Sequence, residues 1–341
     1  MARIVIVGAG IAGTFAARTL VGAGHDVVVL DKGLAPGGRV ATRTVDGRSF
    51  DHGAQFLTAK SDRFRAHVDA WCQGGVARSW FHGSPDADRP DDPDGHPRFR
   101  GVPTMRSIPE HLANGLDVRL GMVVRSVAAR DGGFVVDVEP RAAAPTDGAG
   151  PADPDHQHAA DAVLLTAPVP QTLALLAAGP LPLDPANQRM LDAITYDPCI
   201  AVLAVPHQAP ALPARGAVRI PGGEVEWVTD NRVTGASGEP AVTVHASAQR
   251  SRDWWALPDA EVGSRVIAAA RDVLGFDADP IYVHRWRYSN PTNAAGVASV
   301  VDTTSGAPLG IAGDGLSGGR VEGAALSGLD AAERLVAALA S

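Results

Sequence analysis

The chain has 341 residues, more than one hydrophobic core usually organises, so its length predicts two domains. Hydrophobic residues make up 45% of the sequence and charged residues 20%, which is typical of a globular enzyme, and no apolar run is long enough for a membrane-spanning helix. The net charge of -8, without a basic run, argues against nucleic acid or an anionic membrane as main partner. The N-terminus leads directly into a strand pattern, not a signal peptide, so we expect a cytoplasmic location.

The sequence contains two cysteines, Cys72 and Cys199, which are far apart and lack metal-ligand spacing. We therefore predict neither a disulfide framework nor a metal site and interpret both as packing thiols. Lysine is also rare and occurs only at Lys32 and Lys60.

The first thirty residues have the pattern of a βαβ unit. Arg3 to Val7 is a run of β-branched residues, a helix is predicted from about Ile11 to Val21, and Asp26 to Leu30 reads as the next parallel strand. Asp31, at the end of that strand, is placed to accept hydrogen bonds from a ribose diol.

Three glycines form a G-x-G-x-x-G motif at the turn from the first strand into the helix, at Gly8, Gly10 and Gly13. They allow a tight turn, close approach of the backbone to a pyrophosphate, and close helix-to-strand packing. The N–H groups and the positive dipole end at Ile11 and Ala12 favour the phosphate charge. The motif predicts dinucleotide binding but does not distinguish NAD from FAD.

The segment after Asp31 and Lys32 turns at Gly37, Gly38 and Arg39. This turn can direct N–H groups and a guanidinium toward the same phosphates, or it can be a surface loop with a solvated arginine. Further on, the alternating residues Phe50, His52 and Phe56 around Gly53 predict a strand with a close backbone approach.

The rest of the chain alternates between two kinds of pattern. Two β-type runs within residues 116–140 are joined by a hairpin signal at 131–133, and residues 84–97 and 141–158 are predicted surface loops. The runs CIAVLAV, EVEWVTD and AVTVHAS and a helical run from Val262 to Leu274 predict an antiparallel sheet with helices. Near the end, Leu309 to Ala312 reads as a strand and Glu322 to Leu339 as an amphipathic helix.

Several motifs in this order resemble the renalase family, within the flavoprotein fold shared by amine oxidase-type and p-hydroxybenzoate hydroxylase-type enzymes. They are VGAGIAG, LDKGLAPGGRVATR, DHGAQF, TAPVPQ, HRWRYSNPTNAA and AGDGLSGGRVEGAALSG. The resemblance implies an α/β fold: a Rossmann-like FAD-binding domain with a discontinuous, antiparallel-sheet substrate domain of α+β type. We expect the FAD domain in residues 1–58, 101–170 and 288–341, and the substrate domain in residues 59–100 and 171–287.

The resemblance also implies one FAD, held without a covalent bond, and a set of residues that contact it. Asp314 would bind a ribityl hydroxyl, the backbone at Val321 to Gly323 would approach the flavin ring, and the backbone around Val124 would contact the adenine. The expected cofactor-binding residues are Gly8, Gly10, Ile11, Ala12, Gly13, Asp31, Lys32, Gly38, Arg39, His52, Gly53, Ala54, Gln55, Val124, Gly313, Asp314, Gly315, Val321, Glu322 and Gly323.

Candidates for chemistry in the second domain are fewer. The resemblance places the strand of His245 beside the flavin, where the imidazole would be the catalytic candidate by binding a substrate amide or shielding the hydride acceptor; otherwise it is a structural histidine. Arg285, Trp286 and Tyr288, with Arg287, form a basic aromatic cluster that would bind a dinucleotide or pack between domains. Trp227 would be a wall of the substrate cavity or part of the core.

The activity that the resemblance implies is oxidation of isomeric dihydro-NAD(P), reduced at C2 or C6, with hydride transfer to flavin N5 and electrons passing to O2 to give hydrogen peroxide. The alternatives are an amine oxidase or dehydrogenase, a natural-product desaturase, and a non-catalytic flavin-binding protein. Amine oxidases of this fold typically have a lysine in the later half of the chain, and this sequence has none after Lys60. The sequence leaves the oligomeric state open.

Overall fold

A computed structural model describes residues 1–86, 95–141 and 156–341. Most of each predicted surface loop, 84–97 and 141–158, lies outside the described residues. Among the described helices, none is both long and apolar enough to cross a membrane.

In chain order, the strands are β1 (Arg3–Val7), β2 (Asp26–Asp31), β3 (Thr42–Val45), β4 (Arg48–Asp51), β5 (Ala77–His82), β6 (Pro97–Gly101), β7 (Asp117–Leu120), β8 (Met122–Arg130), β9 (Gly133–Pro140), β10 (Gln157–Ala160), β11 (Ala162–Leu165), β12 (Tyr196–Pro206), β13 (Ala217–Arg219), β14 (Val225–Asp230), β15 (Val242–Ala246), β16 (Ala278–Pro291), β17 (Val300–Asp302) and β18 (Leu309–Ile311). The helices are α1 (Ile11–Gly22), α2 (Asp62–Gln73), α3 (Ser107–Ala113), α4 (Val169–Ala178), α5 (Pro185–Asp192), α6 (Ala248–Asp253), α7 (Asp259–Leu274), α8 (Asp314–Ser317) and α9 (Val321–Leu339).

The chain divides into two compact units, each built from separated segments. Unit 1 comprises residues 1–38, 109–195 and 291–341, and unit 2 comprises residues 39–108 and 196–290. The expected domain bounds differ from these: residues 39–58, 101–108 and 288–290 group with unit 2, and residues 171–195 with unit 1. Local packing explains the difference, because Phe50 packs against Leu203 in unit 2, whereas Gly179, after α4, lies against the carbonyl of Val127 in unit 1. How the units divide the function stays a prediction.

Unit 1 contains a six-stranded sheet in the order β17-β18-β11-β1-β2-β7. The strands β18, β11, β1, β2 and β7 pair in parallel, and β17 joins β18 in antiparallel orientation. The central strands are almost continuous runs of buried Val, Ile and Leu, as expected for parallel strands that are covered on both faces. A second, three-stranded sheet, β10-β9-β8, contains the predicted hairpin at 131–133. The βαβ unit, the C-terminal strand and the C-terminal helix are confirmed to within a residue or two.

Unit 2 is built on a five-stranded sheet in the order β13-β14-β15-β12-β16, in which the first four strands pair in antiparallel orientation. Helix α7 packs on one face of this sheet through Val262, Val266 and Ile267. On the other face, Phe50 at the end of the β3–β4 hairpin packs against Leu203 and Ala241. The predicted combination of a Rossmann-like domain with an antiparallel-sheet domain is therefore confirmed.

The strand predicted from Phe50 to Phe56 is shorter in the structure. Strand β4 ends at Asp51, which pairs with Thr42 at the start of β3. On its other edge, the Asp51 N–H donates to the side-chain oxygen of Asn231 at 3.0 Å instead of to another strand. The expected close approach at Gly53 is present: a Cβ there would collide with the carbonyl oxygen of Arg39.

Candidate functional site

The glycine-rich turn in unit 1 has the geometry of an anion site. Gly10 is the N-cap of α1, no side chain caps the helix, and its first turn contains no acidic residue. A Cβ at Gly13 would collide with the carbonyl oxygen of Gly8, so this glycine is required for packing. A Cβ at Gly10 would meet only the Gly37 carbonyl, at 4.0 Å, and would instead fill the space in front of the helix. This open cradle at a positive helix end, which begins with Ile11 and Ala12, fits a pyrophosphate.

The residues after β2 fold back onto this turn. The Asp31 carboxylate accepts hydrogen bonds from the N–H groups of Ala9 and Gly33, both at 2.6 Å, and keeps further acceptor capacity for a ribose. A Cβ at Gly38 would lie 3.5 Å from the Cα of Gly10. The neighbouring Lys32 ammonium lies 3.4 Å from the side-chain oxygen of Gln171. The structure therefore brings these three sequence-predicted residues, Asp31, Lys32 and Gly38, to the end of β2 beside the glycine turn.

The C-terminal glycine-rich stretch lies in the same unit, after β18. The Gly313 N–H donates to the Ser327 hydroxyl at 2.8 Å, and Asp314 and Gly315 open the short helix α8. Helix α9 begins at Val321, next to the buried Glu322, and a Cβ at Gly323 would collide with the Gly318 carbonyl oxygen. These residues therefore form a second tight strand-to-helix turn.

Thr166, the first residue of the TAPVPQ motif, was not expected among the site residues but joins the two turns. Thr166, directly after β11, donates its hydroxyl to the carbonyls of Val7 and Gly8, at 2.9 and 3.1 Å. A Cβ built on Gly313 would lie 4.0 Å from the Thr166 carbonyl oxygen. Because β11 lies between β1 and β18, its last residue meets the end of both strands. The run LLTAP, a polar residue between an apolar strand and a proline, was the available sequence signal.

Val124, expected near the adenine, lies in β8 next to an irregularity of strand pairing. It pairs with Val138, whereas Ser126 pairs with Asp137, so the intervening Arg125 is a bulge residue. Bulges leave backbone groups outside the ladder and turn the chain locally. The position is compatible with a backbone contact to a ligand.

In unit 2, the carbonyl oxygen of His52 is a hydrogen-bonding hub. It accepts from the indole N–H of Trp286 at 2.8 Å and from Nε2 of His245 at 3.1 Å. Since a carbonyl can only accept, His245 carries its proton on Nε2 when it is neutral, and its Nδ1 has the free lone pair. The hub fixes the side chains of two predicted site residues against the DHGAQF segment.

Gln55 fixes the other end of the same segment. Its amide nitrogen donates to the carbonyls of Asp51 and Gly53, at 2.8 and 3.1 Å, and its oxygen accepts from the Thr229 hydroxyl at 2.9 Å. That hydroxyl in turn accepts from the indole N–H of Trp227, whose ring is buried 5.5 Å from the ring of Phe56. Ala54 donates its N–H to the Arg39 carbonyl at 2.9 Å. Segment 51–55 is thus held by both of its ends.

The predicted basic aromatic cluster on β16 separates onto two faces, because successive side chains of a strand point in opposite directions. Arg285 donates to the carbonyls of Trp255 and Leu257 and pairs with Asp259, and the Arg287 guanidinium lies 5.4 Å from the Trp255 ring. These arginines belong to the face of α7 and do not join Trp286 and Tyr288.

The other face of β16 carries an aromatic row that includes two residues the sequence reasoning missed. Its members are Tyr282, His284, Trp286 and Tyr288. The centroids of His284 and Trp286 are 4.1 Å apart, those of Tyr282 and His284 are 6.3 Å apart, and His52 stacks on Trp286 at 5.3 Å. Applying the alternation rule to HRWRY would have found this row.

Two arginines lie at the two ends of the aromatic row. Arg39 donates to the carbonyls of Tyr288 and Ser289, both at 3.2 Å, so its guanidinium is neither purely solvated nor directed only at a phosphate. Arg43 lies over the Tyr282 ring, 3.8 Å from its centroid.

The three histidines of the cluster are neutral near pH 7. Burial lowers the pKa of His52 to about 3, with His284 adding to the effect. Burial likewise lowers the pKa of His245 to about 4, and burial together with the charge of Arg43 lowers the pKa of His284 to about 4. His52 and His284 therefore add no positive charge to the aromatic row near pH 7. Within the described residues, no cluster of three or more potential metal ligands occurs.

Together, the Rossmann-like sheet, the two glycine-rich turns at its strand ends and the antiparallel-sheet unit define a dinucleotide-binding flavoprotein. Residues 6–71 match the profile of an NAD(P)-binding Rossmann-like domain, and residues 75–336 match that of the flavin containing amine oxidoreductases. The chain therefore belongs to the flavin-containing amine oxidoreductase family, and its cofactor is FAD.

Two curated relatives match short parts of the chain. Putrescine oxidase from Kocuria rosea is 46% identical over 66 residues, 19% of this chain and 14% of the relative. Hydroxyneurosporene desaturase from Rubrivivax gelatinosus is 43% identical over 58 residues, 17% of this chain and 11% of the relative. Each match thus covers a small part of the relative's length.

Solved structures match over almost the whole chain at low sequence identity. A protein from Exiguobacterium sp. 255-15 assigned as a protoporphyrinogen oxidase has a TM-score of 0.73 at 14% identity, with 98% of both chains covered. Putrescine oxidase bound to putrescine has a TM-score of 0.67 at 15% identity, covering 98% of this chain and 99% of that one. A fatty acid isomerase from P. acnes has a TM-score of 0.69 at 14% identity, with 98% of both chains covered. These similarities establish the fold.

Proposed function

We propose that this flavin-dependent oxidoreductase oxidises isomeric dihydro-NAD(P), reduced at C2 or C6 of the nicotinamide, and gives NAD(P)+ and hydrogen peroxide. The balanced reaction consumes one dihydro-NAD(P), one O2 and one proton. FAD, when bound, supplies the hydride acceptor at N5 and passes the two electrons to O2. The glycine turns, Asp31 and Thr166 of unit 1 would hold the cofactor.

The observation that carries this proposal is the aromatic row of β16. A planar dihydropyridine can stack on one ring of the row, such as Trp286, and touch the tilted neighbouring ring of His284. Stacking is the task required of the protein, since formation of the aromatic nicotinamide drives hydride loss without an acid or a base. The neutral imidazoles suit an uncharged ring. The described contacts of the row include Arg43 over Tyr282, His52 against Trp286, Tyr196 against Tyr288 and the apolar cluster of Phe50 beside Tyr282, and none of these is a carboxylate that would attract an ammonium group.

His245 would orient the substrate through its free Nδ1 lone pair. With Nε2 donating to His52, the neutral ring can accept a hydrogen bond from a carboxamide N–H but cannot donate to it from Nδ1. Trp286 and Tyr288 remain in the proposed substrate site, and so does Trp227 as a wall. Arg285 is left out, since its guanidinium is bound to the loop before α7.

The second candidate is oxidation of an amine or desaturation of an apolar natural product. It is favoured by the likeness to putrescine oxidase and to hydroxyneurosporene desaturase, which covers only short stretches. Against a cationic amine stand the missing later lysine and the charge of Arg43 at the end of the row. A flavin-binding protein without turnover is the remaining alternative.

Anaerobic stopped-flow spectroscopy separates these candidates. The FAD-loaded protein is mixed with 2-, 6- and 4-dihydro-NAD(P), with putrescine and with other amines, and the loss of oxidised-flavin absorbance is followed. We expect the 2- or 6-isomer to reduce the flavin much faster than any amine. Reduction by an amine alone would replace the proposal by the amine oxidase of the second candidate. No reduction by any compound in the panel would overturn the proposal and leave the desaturase and the protein without turnover.

Two tryptophan substitutions provide a matched control. Trp286→Phe removes the indole N–H that holds the His52 carbonyl and should slow reduction by the dihydronicotinamide. Trp255→Phe changes an aromatic ring on the opposite side of β16, under Arg287, and should leave the reduction rate unchanged. Equal effects of both substitutions would argue against a substrate site on the aromatic row.

A further inference from the structure

We propose that Arg43 forms a phosphate subsite at the Tyr282 end of the aromatic row, so that this enzyme selects phosphorylated nicotinamide nucleotides. The inference rests on the proposed function, because it assumes that the ring of the substrate lies on the same row. It adds that the Tyr282 end of the row would bind a phosphate group of that substrate.

The position of Arg43 is set by stacking. Its guanidinium carbon lies 3.8 Å from the centroid of the Tyr282 ring. Tyr282 and Trp286 are four residues apart on one strand, which corresponds to about 13 Å along β16. A guanidinium that stacks through its face keeps its N–H edges for a planar, two-point contact with an oxyanion. Arg43 and Trp286 thus define a basic end and an aromatic end of one surface.

Arg43 also differs in its contacts from two other arginines of unit 2, Arg39 and Arg100. Arg39 donates to two backbone carbonyls, and Arg100 is paired with Asp51. Arg43 is exposed, and within the described residues no carboxylate, carbonyl or hydroxyl accepts a hydrogen bond from it. The imidazoles nearest to it, His52 and His284, are uncharged near pH 7 and leave its charge uncompensated. An uncompensated guanidinium, held over Tyr282 at one end of a row of aromatic rings, fits a ligand that combines a planar ring with a phosphate.

Two phosphates of a nicotinamide nucleotide offer the same chemistry. One is the 5′-phosphate next to the nicotinamide ribose, and the other is the 2′-phosphate that distinguishes NADP from NAD. Comparing nicotinamide mononucleotide with nicotinamide riboside tests the first, and comparing NADP+ with NAD+ tests the second.

Isothermal titration calorimetry of the FAD-loaded enzyme measures these preferences without turnover. We expect the wild type to bind the phosphorylated member of one pair at least about tenfold more tightly, as a charge-assisted hydrogen bond provides. Arg43→Gln should bring that ratio close to one, and Arg43→Lys should give an intermediate ratio, since a lysine keeps the charge but not the planar fork. The preference should also weaken as salt rises from low concentration to about 0.5 M.

Arg232→Gln is the matched control. Arg232 is another exposed arginine of unit 2 whose side chain has no described hydrogen bond or ion pair. Its substitution should leave the ratio unchanged. Equal binding of both members of each pair by the wild type, or a preference that survives Arg43→Gln, would overturn the subsite. A preference lost equally in both variants would overturn it too.

The same proteins distinguish this inference from the proposed function. If dihydronicotinamides reduce the flavin but Arg43→Gln keeps the phosphate preference, the subsite is wrong and the oxidase activity stands. If the preference depends on Arg43 but no dihydronicotinamide reduces the flavin, the subsite stands and the proposed reaction is wrong.

Discussion

The ion pair beneath the DHGAQF segment offers a quantitative test of how unit 2 is held together. Asp51 and Arg100 are 2.8 Å apart, with side chains only 3% and 2% exposed. Asp51 also accepts from the Thr42 hydroxyl at 2.6 Å and from the Met105 N–H at 3.0 Å. Arg100→Met would remove the cation and leave the carboxylate buried. Breaking a buried pair in this way costs about 3–5 kcal/mol of unfolding free energy.

Tryptophan fluorescence during urea unfolding can measure this loss within unit 2 alone. All six tryptophans of the chain lie in unit 2, at positions 71, 80, 227, 254, 255 and 286. The control is Arg265→Met, which breaks an i,i+4 pair with Glu261 whose side chains are 50% and 43% exposed and should cost no more than about 0.5 kcal/mol.

The pH dependence and the second substitution Asp51→Asn test whether the loss of stability comes from the unpaired Asp51 carboxylate. Burial raises the pKa of Asp51, and Arg100 opposes the rise, so Arg100→Met should raise this pKa further. The folded variant then holds a proton that the unfolded chain releases, and its stability falls as pH rises above the unfolded value of 3.8. The substitution should therefore cost less at pH 5 than at pH 8, and adding Asp51→Asn should recover part of the loss. If Arg100→Met lowers the free energy of unfolding by less than about 1 kcal/mol at pH 8, or if neither pH nor Asp51→Asn changes this loss, Asp51 is not left as a buried, unpaired charge.

Three further predictions concern the two units separately. Gly10→Ala should keep the fold, because its Cβ meets only the Gly37 carbonyl at 4.0 Å, but should lower the flavin content of the purified protein. Gly13→Ala should lower the flavin content and also the melting temperature, because its Cβ would collide with the Gly8 carbonyl oxygen. Equal melting temperatures of the two variants would contradict this. Thr166→Val should lower the free energy of unfolding by about 1 kcal/mol and raise the FAD dissociation constant in fluorescence titrations. If neither quantity changes, the hydrogen bonds of the Thr166 hydroxyl contribute neither to stability nor to FAD binding. The pKa of His284 is lowered to about 4, so the unfolded chain binds a proton below pH 6.5 that the folded state does not, and the free energy of unfolding falls between pH 6.5 and 4. His284→Gln should reduce this fall, followed by tryptophan fluorescence, by up to about 1.4 kcal/mol per pH unit. An unaltered pH dependence would contradict the lowered pKa.

The sequence predicted unit 1 well because its signals are local. The strand from Arg3, the helix from Ile11 and the hairpin at 131–133 each follow from a run of apolar residues and the glycines that end it. The role of Thr166 was not predictable in this way. It depends on β11 lying between β1 and β18, which are just over three hundred residues apart in sequence.

In unit 2, the sequence identified chemistry-bearing residues but not their neighbours. Trp286 and His245 were singled out for their types, yet only the fold shows that both donate to the His52 carbonyl. Arg285 was grouped with Trp286 because the two residues are adjacent in sequence, although their side chains lie on opposite faces of β16. Arg43 is the last residue of the LDKGLAPGGRVATR motif but was given no role of its own, and its position over Tyr282 depends on how the β3–β4 hairpin packs against β16.

The position of β18 in the unit 1 sheet has a consequence for synthesis of the chain. β11, whose four residues AVLL are all buried, is covered along one edge by β1 but along the other only by β18, which leaves the ribosome about 145 residues later. During that interval β11 is an apolar strand with an open edge, which is a template for association with other chains. We expect nascent or truncated chains that end before Leu309 to aggregate through β11 or to require a chaperone, so that only chains synthesised through β18 close the sheet on which the flavin-binding turns are built.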